Sequence, residues 1–176
     1  RFESRGLGDV YKRQVDAAVN SPTRVVFTGG CTGPSPTFAV PTSGMLDYVT
    51  TSTLGNAADF GDLHTATFGN GAASNSIRGL IMGGNSNPTK LNSIQFITIA
   101  TLGNALDFGD SPTTHYYGAS CASSTRAIVA GGSTPSTINV VDYVQIMTLG
   151  NGTDFGDITS SRDQMTGFSN GHGGLG

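Results

Sequence analysis

Short apolar runs alternate with polar, glycine-rich stretches along the whole chain, and the runs come in recurring kinds. Three are nearly continuous and end in Gly-Gly: "RVVFTGG" at 24–30, "RGLIMGG" at 78–84 and "RAIVAGG" at 126–132. A run of that length and continuity predicts a strand buried on both faces. Three more alternate with period two: "LDYVTTST" from Leu46, "IQFITIAT" from Ile94 and "VDYVQIMT" from Val141, with Tyr48, Phe96 and Tyr143 at one equivalent position. That is the pattern of a half-buried strand. Stretches of small residues at 68–74, 117–123 and 165–169 predict a crowded strand in front of each Gly-Gly run, and "VDAAVN" at 15–20 supplies the first of them. A short fourth strand carries Phe60, Phe108 or Phe155, an aromatic at a fixed place that reads as a core plug between units.

The order of these strands is stamped by a phrase. "TLGNAADFGD" at 53–62 returns as "TLGNALDFGD" at 101–110 and "TLGNGTDFGD" at 148–157, in steps of 48 and 47 residues. The last Asp of the phrase precedes the next Arg by the same 16 residues twice, from Asp62 to Arg78 and from Asp110 to Arg126. A period near 48 suits a four-stranded propeller blade better than one turn of a solenoid. The expected division is blade 1 at 15–62, blade 2 at 63–110, blade 3 at 111–157 and a truncated start of blade 4 at 158–176. The fold class is therefore all-β, about three four-stranded antiparallel blades plus the start of a fourth.

Composition agrees with this picture. Charged residues are only 12% of the chain and Gly numbers 26, the profile of a turn-rich β protein, and a net charge of -3 is too small to hold a chain expanded. So mild a balance predicts neither a nucleic-acid partner nor membrane insertion, and no apolar stretch approaches the roughly 18 residues of a membrane helix. Cys31 and Cys121 stand at unrelated places in the repeat, which leaves a disulfide unsupported. "DVYKRQ" at 9–14 looks like the in-frame translation of a transposon end used in sequencing libraries, so residues 1–14 are expected to be an artefact outside the fold. On that reading the chain is a fragment whose natural start lies upstream, and the missing blades are expected in a longer chain rather than in a second copy.

Gly-Gly after an apolar strand, an aromatic on the third strand, another on the fourth and an Arg shortly afterwards is similar to the kelch-type repeat of β-propellers. The likeness spans residues 15–176 and departs from kelch at the fourth-strand aromatic, which is Phe where kelch repeats carry Trp. The "LGNxxDFGD" wording also resembles repeats in tail-fibre-like proteins of marine tailed phages. Those resemblances imply a non-catalytic recognition or structural module that meets a protein or a glycan at a propeller face, in a virion or extracellular setting. The alternative is part of a propeller enzyme whose catalytic residues lie elsewhere. Some kelch-type propellers are copper oxidases built on Tyr, His and a modified Cys, a pattern that Cys31, Cys121 and the histidines do not match.

Candidate chemistry is sparse. The repeated Asn56, Asp59 and Asp62, with Asn104, Asp107, Asp110, Asn151, Asp154 and Asp157, offer oxygens of the kind Ca²⁺ takes, but recurrence in every unit points to turn residues. His64, His115 and His172 lie about 50 residues apart with no zinc spacing, and they read as exposed loop residues. No metal, cofactor or catalytic residue is expected. The one break in the stamp is "CTGPSPTFAVPTSG" at 31–44: Gly30 to Leu46 is 16 steps where Gly84 to Ile94 is 10, about six residues more. Insertions in a single unit map to loops on one face, often the binding face. The candidate binding residues are Pro34, Pro36 and Pro41, which stiffen this loop, and Phe38, which is apolar enough to anchor a partner.

Overall fold

A computed structural model describes residues 17–30 and 44–168. Twelve strands form three antiparallel four-stranded sheets, with no helix among the described residues. The first sheet holds β1 (Ala17–Asn20), β2 (Arg24–Thr28), β3 (Met45–Thr50) and β4 (Ala58–Asp62). The second holds β5 (Gly71–Ser74), β6 (Arg78–Met82), β7 (Ser93–Thr98) and β8 (Leu106–Asp110), and the third β9 (Ala119–Ala122), β10 (Arg126–Ala130), β11 (Val140–Gln145) and β12 (Thr153–Asp157). Each sheet is a meander in chain order, as the repeat predicts. The first strands come out shorter than their small-residue stretches, and 165–168 form no strand.

Register repeats with the sequence. Val26 pairs with Tyr48, Leu80 with Phe96 and Ile128 with Tyr143, so the same aromatic faces the same place on each Gly-Gly strand. The turn between first and second strands is closed each time by one polar side chain. Ser21 Oγ, Asn75 Oδ1 and Ser123 Oγ each accept from the backbone N–H groups two and three residues on, in the manner of an Asx or Ser/Thr turn.

Two cores lie between the sheets. One joins sheets 1 and 2 through Val19, Val26, Leu46, Phe60, Ile81, Ile97 and Ile99, and the other joins sheets 2 and 3 through Leu80, Met82, Ile94, Phe96, Phe108, Val129 and Ile146. Strand alternation divides β6 between them, Ile81 to one side and Leu80 and Met82 to the other. The near-continuous apolar run is thereby explained for the middle sheet, which has a neighbour on each face. Among the described residues each outer sheet meets one other sheet, and Phe27, Met45 and Phe155 are exposed.

Candidate functional site

The stamped phrase builds a joint between units. The register of the third and fourth strands shifts between Leu46 and Asp47, between Ile94 and Gln95 and between Val141 and Asp142, so that Phe60, Phe108 and Phe155 are each the extra residue of a β-bulge. A bulge re-aims one side chain. Here it turns the Phe edge-on to the third-strand aromatic, with ring centroids 6.0 Å apart for Tyr48–Phe60, 6.0 Å for Phe96–Phe108 and 5.8 Å for Tyr143–Phe155. The following glycine lies at φ 145°, 141° or 136°, a conformation side chains resist.

That glycine serves a second purpose at both internal joints. A Cβ on Gly61 would come within 2.6 Å of the Gly103 carbonyl, and one on Gly109 within 2.6 Å of the Gly150 carbonyl oxygen. The Leu-Gly-Asn turn of the next unit is pressed directly against the bulge. The Phe60 carbonyl accepts from Gly103 N–H and the Asp62 carbonyl from Ala105 N–H, while Asp62 N–H donates to Asn104 Oδ1 at 3.1 Å. The second joint repeats all three bonds, with Gly150, Gly152 and Asn151 as the partners of Phe108 and Asp110. The acids were expected to shape their own turn, and Asp154 Oδ1 does accept from Gly156 N–H. The asparagines behave otherwise: the positive φ belongs to the preceding glycine, and each Asn side chain caps the unit before it.

Two further repeated groups work across the same joints. Arg24, Arg78 and Arg126 stack over Tyr48, Phe96 and Tyr143 at 4.7–5.0 Å. Arg24 then donates to the carbonyls of Ile99 and Ala100, and Arg78 to that of Ile146, each in the following unit. The second glycine of each Gly-Gly pair donates its N–H forward, to the carbonyl of Thr67, His115 or Arg162. That last bond ties 158–168 to sheet 3 at the place where 63–67 and 111–115 meet the sheets before them.

His115 corrects an expectation. It is buried rather than exposed, while His64 is exposed as expected. His115 occupies the position that Thr67 has one unit earlier, and each ring nitrogen faces an acceptor: Nδ1 lies 2.7 Å from the Gly131 carbonyl and Nε2 3.0 Å from Asp142 Oδ2. Ser111 Oγ and Thr113 N–H donate to the same carboxylate oxygen. Nδ1–H donates to the Gly131 carbonyl, since a carbonyl only accepts, and Nε2 makes the hydrogen-bonded contact with the Asp142 carboxyl. Burial alone would raise the Asp142 carboxyl, but bonds from His115 and Ser111, the His115 charge and the Thr113 N–H outweigh it and hold the group below the usual carboxylate range. Sheet 2 solves the same problem without charge, since Gln95 exchanges two hydrogen bonds with the Thr65 backbone. A Ser, an Asp and a His in contact suggest a hydrolytic triad, but the order is wrong. The carboxylate sits between Ser111 and His115, and the far ring nitrogen is bonded to a carbonyl, so the imidazole is not placed to act as base toward the serine.

The first strands of the three sheets line an open groove of about 630 Å³, where Asn20, Ser74, Ser76, Ser120 and Cys121 present small neutral side chains. Burial pushes the Cys121 thiol above its ordinary range, which leaves it a poor nucleophile. Among the described residues no three His, Cys, Asp or Glu side chains gather as metal ligands, and no helix is long and apolar enough to cross a membrane. Pro34, Pro36, Phe38 and Pro41 lie outside the described residues, as do Cys31, His172 and 1–14. No protein-family model matches this chain, and no curated protein sequence matches it.

Proposed function

We propose that this chain is part of a kelch-like β-propeller that acts as a non-catalytic recognition or structural module, meeting a protein or a glycan at one face. The observation that carries the reading is the destination of the repeated polar groups. At the two internal joints the Asn of the phrase, the last Asp's N–H, the Arg and the second glycine are engaged in holding one unit to the next. The polar side chains of the groove are hydroxyls and amides. They suit a neutral ligand rich in hydroxyl groups, such as a sugar, better than a charged one. The virion or extracellular setting follows from the phage resemblance, and the 31–44 insertion with Pro34, Pro36, Phe38 and Pro41, judged on sequence alone, is a second place for a partner to bind.

The test is a panel of neutral glycans and surface proteins presented to the immobilised chain, repeated with Ala18→Arg at the groove wall and with 31–43 shortened to the length of the second unit's loop. Saturable binding, return of the ligand chemically intact and loss in one of the two variants are expected. Conversion of a ligand, or binding untouched by both changes, contradicts the proposal.

A further inference from the structure

We propose that Tyr117 and Lys90 form a binding site for an acidic sugar, a ring that carries hydroxyl groups and a carboxylate, at the end of the sheets where the repeat is least faithful. An antiparallel meander sends its turns to alternate ends. At one end lie the turns between first and second strands and between third and fourth strands, and these are copied from unit to unit with the same side-chain bonds. At the other end lie the loops between second and third strands and the connections between units, and there the copies diverge. The 31–44 insertion belongs to that end, as does His115 in place of Thr67. Lys90 stands where the third unit has Thr137, since Asn85 bridges to Lys90 as Ser133 does to Thr137. What every unit shares serves the fold, and what one unit changes is open to serve a ligand.

Tyr117 is the clearest change. It takes the place of Gly69, with φ 61° against 62°, and its N–H donates to the Gly69 carbonyl as Gln164 N–H donates to the carbonyl of Tyr117. That left-handed backbone suits glycine and strains a bulky side chain, and strain of this kind gathers at ligand sites. The ring leans on Tyr116, with centroids 4.0 Å apart, and remains partly exposed. Lys90 Nζ reaches across the joint to donate to Ser133 Oγ at 2.7 Å and lies 5.3 Å from the centre of the Tyr116 ring. A hydroxyl and a ring hold the ammonium without neutralising it, and no carboxylate pairs with it among the described residues. Arg24 and Arg78, by contrast, are committed to carbonyls of the following unit. An aromatic surface, a fixed cation with N–H donors left over and the hydroxyls of Ser133, Thr134 and Thr137 match the apolar face, the carboxylate and the hydroxyls of a sugar acid. Both units that build the site, and the Gln164 segment bonded to Tyr117, are among the described residues.

The site deepens the recognition reading given above and rests on it, but it is separate from the neutral groove. Titration calorimetry on the intact chain compares an oligomer of galacturonic acid with its methyl ester, which keeps every ring and loses the charge. The acid is expected to bind at least about tenfold tighter, with an advantage that shrinks at about 0.5 M salt. Lys90→Met should erase that advantage. Tyr117→Gly should weaken both forms about tenfold without lowering the thermal midpoint, because glycine suits the backbone there. If Lys90→Met does not fold by circular dichroism, the comparison of acid with ester on the wild-type chain decides alone. Absence of binding, or equal affinity for acid and ester, overturns the proposal. So does polyglutamate bound as tightly as the sugar acid, and so does undiminished binding by Tyr117→Gly. Binding of a neutral glycan that is lost in Ala18→Arg, with no acid bound here, strikes this site and leaves the recognition reading standing.

Discussion

Phe108 and Phe155 occupy the same place in the same phrase, one residue after Asp and one before Gly, yet one is buried and the other is mostly exposed. Their own sheets treat them alike, since each is the extra residue of a bulge and each meets a third-strand ring edge-on. The difference lies in the neighbour. Phe108 is covered by the unit that follows it, and Phe155 has no such unit among the described residues. In a repeat array a residue's worth is set at the joint, not within the unit that carries it.

The comparison is broken most severely by truncating the two rings. Phe108→Ala is expected to cost about 3–5 kcal/mol, the range for a buried aromatic, while Phe155→Ala costs under about 1 kcal/mol because little apolar area is lost. Denaturant titration of both variants checks this, and equal losses would mean that the ring works within its sheet.

The joints themselves differ at one buried position. Asp142→Ala strands His115, Ser111 Oγ and Thr113 N–H, with an expected cost of about 3 kcal/mol. Because the folded carboxyl lies below its unfolded value, the stability it contributes is complete above the ordinary carboxylate range and is lost as pH falls through the folded value. Hydrogen-exchange protection in the Ser111–His115 segment, taken relative to the intrinsic rate at each pH, should therefore fall in acid, while Thr65–Thr67, held by neutral Gln95, should not share that response. Asp142→Asn should flatten the acid limb.

Glycine substitutions sharpen the contrast further. Gly109→Ala and Gly156→Ala carry the same backbone strain, of about 1 kcal/mol, but only the first drives a methyl group into Gly150. Thermal unfolding should show Gly109→Ala the more damaged by about 1–2 kcal/mol. Smallest of all is the asparagine pair. Asn151→Ala removes one hydrogen bond between units and costs about 1 kcal/mol, whereas Asn56→Ala is silent in the monomer.

Much of this was legible in the sequence and some was not, for identifiable reasons. Four strands per unit and the two-sided burial of "RGLIMGG" follow from pattern and period, because these depend on local geometry. The plugging role of Phe60 and Phe108 was legible for the same reason. The exposure of Phe155 among the described residues was not, since the same residue in the same phrase gives no sign of what packs against it. The reach of Asn104 and Asn151 back to the previous unit was also hidden, because spacing along a chain does not tell which unit a side chain faces. Arg24, Arg78 and Arg126 marked the period without revealing that they bridge joints. His115 was missed because its equivalent is Thr67, so the repeat says nothing about it. A signal did exist one strand away: Gln95 and Asp142 are polar residues within apolar strands, and a buried polar group implies a partner.

The central claim is that the stamped phrase is two halves of one joint, the Leu-Gly-Asn turn of each unit closing the Phe-Gly-Asp edge of the unit before. Amide hydrogen exchange at Asp62, Asp110 and Asp157, measured on dilute monomer, tests it most directly. Slow exchange at Asp62 and Asp110, whose N–H groups donate to Asn104 and Asn151, with fast exchange at Asp157, is the predicted result. Equal exchange at all three amides would contradict the account.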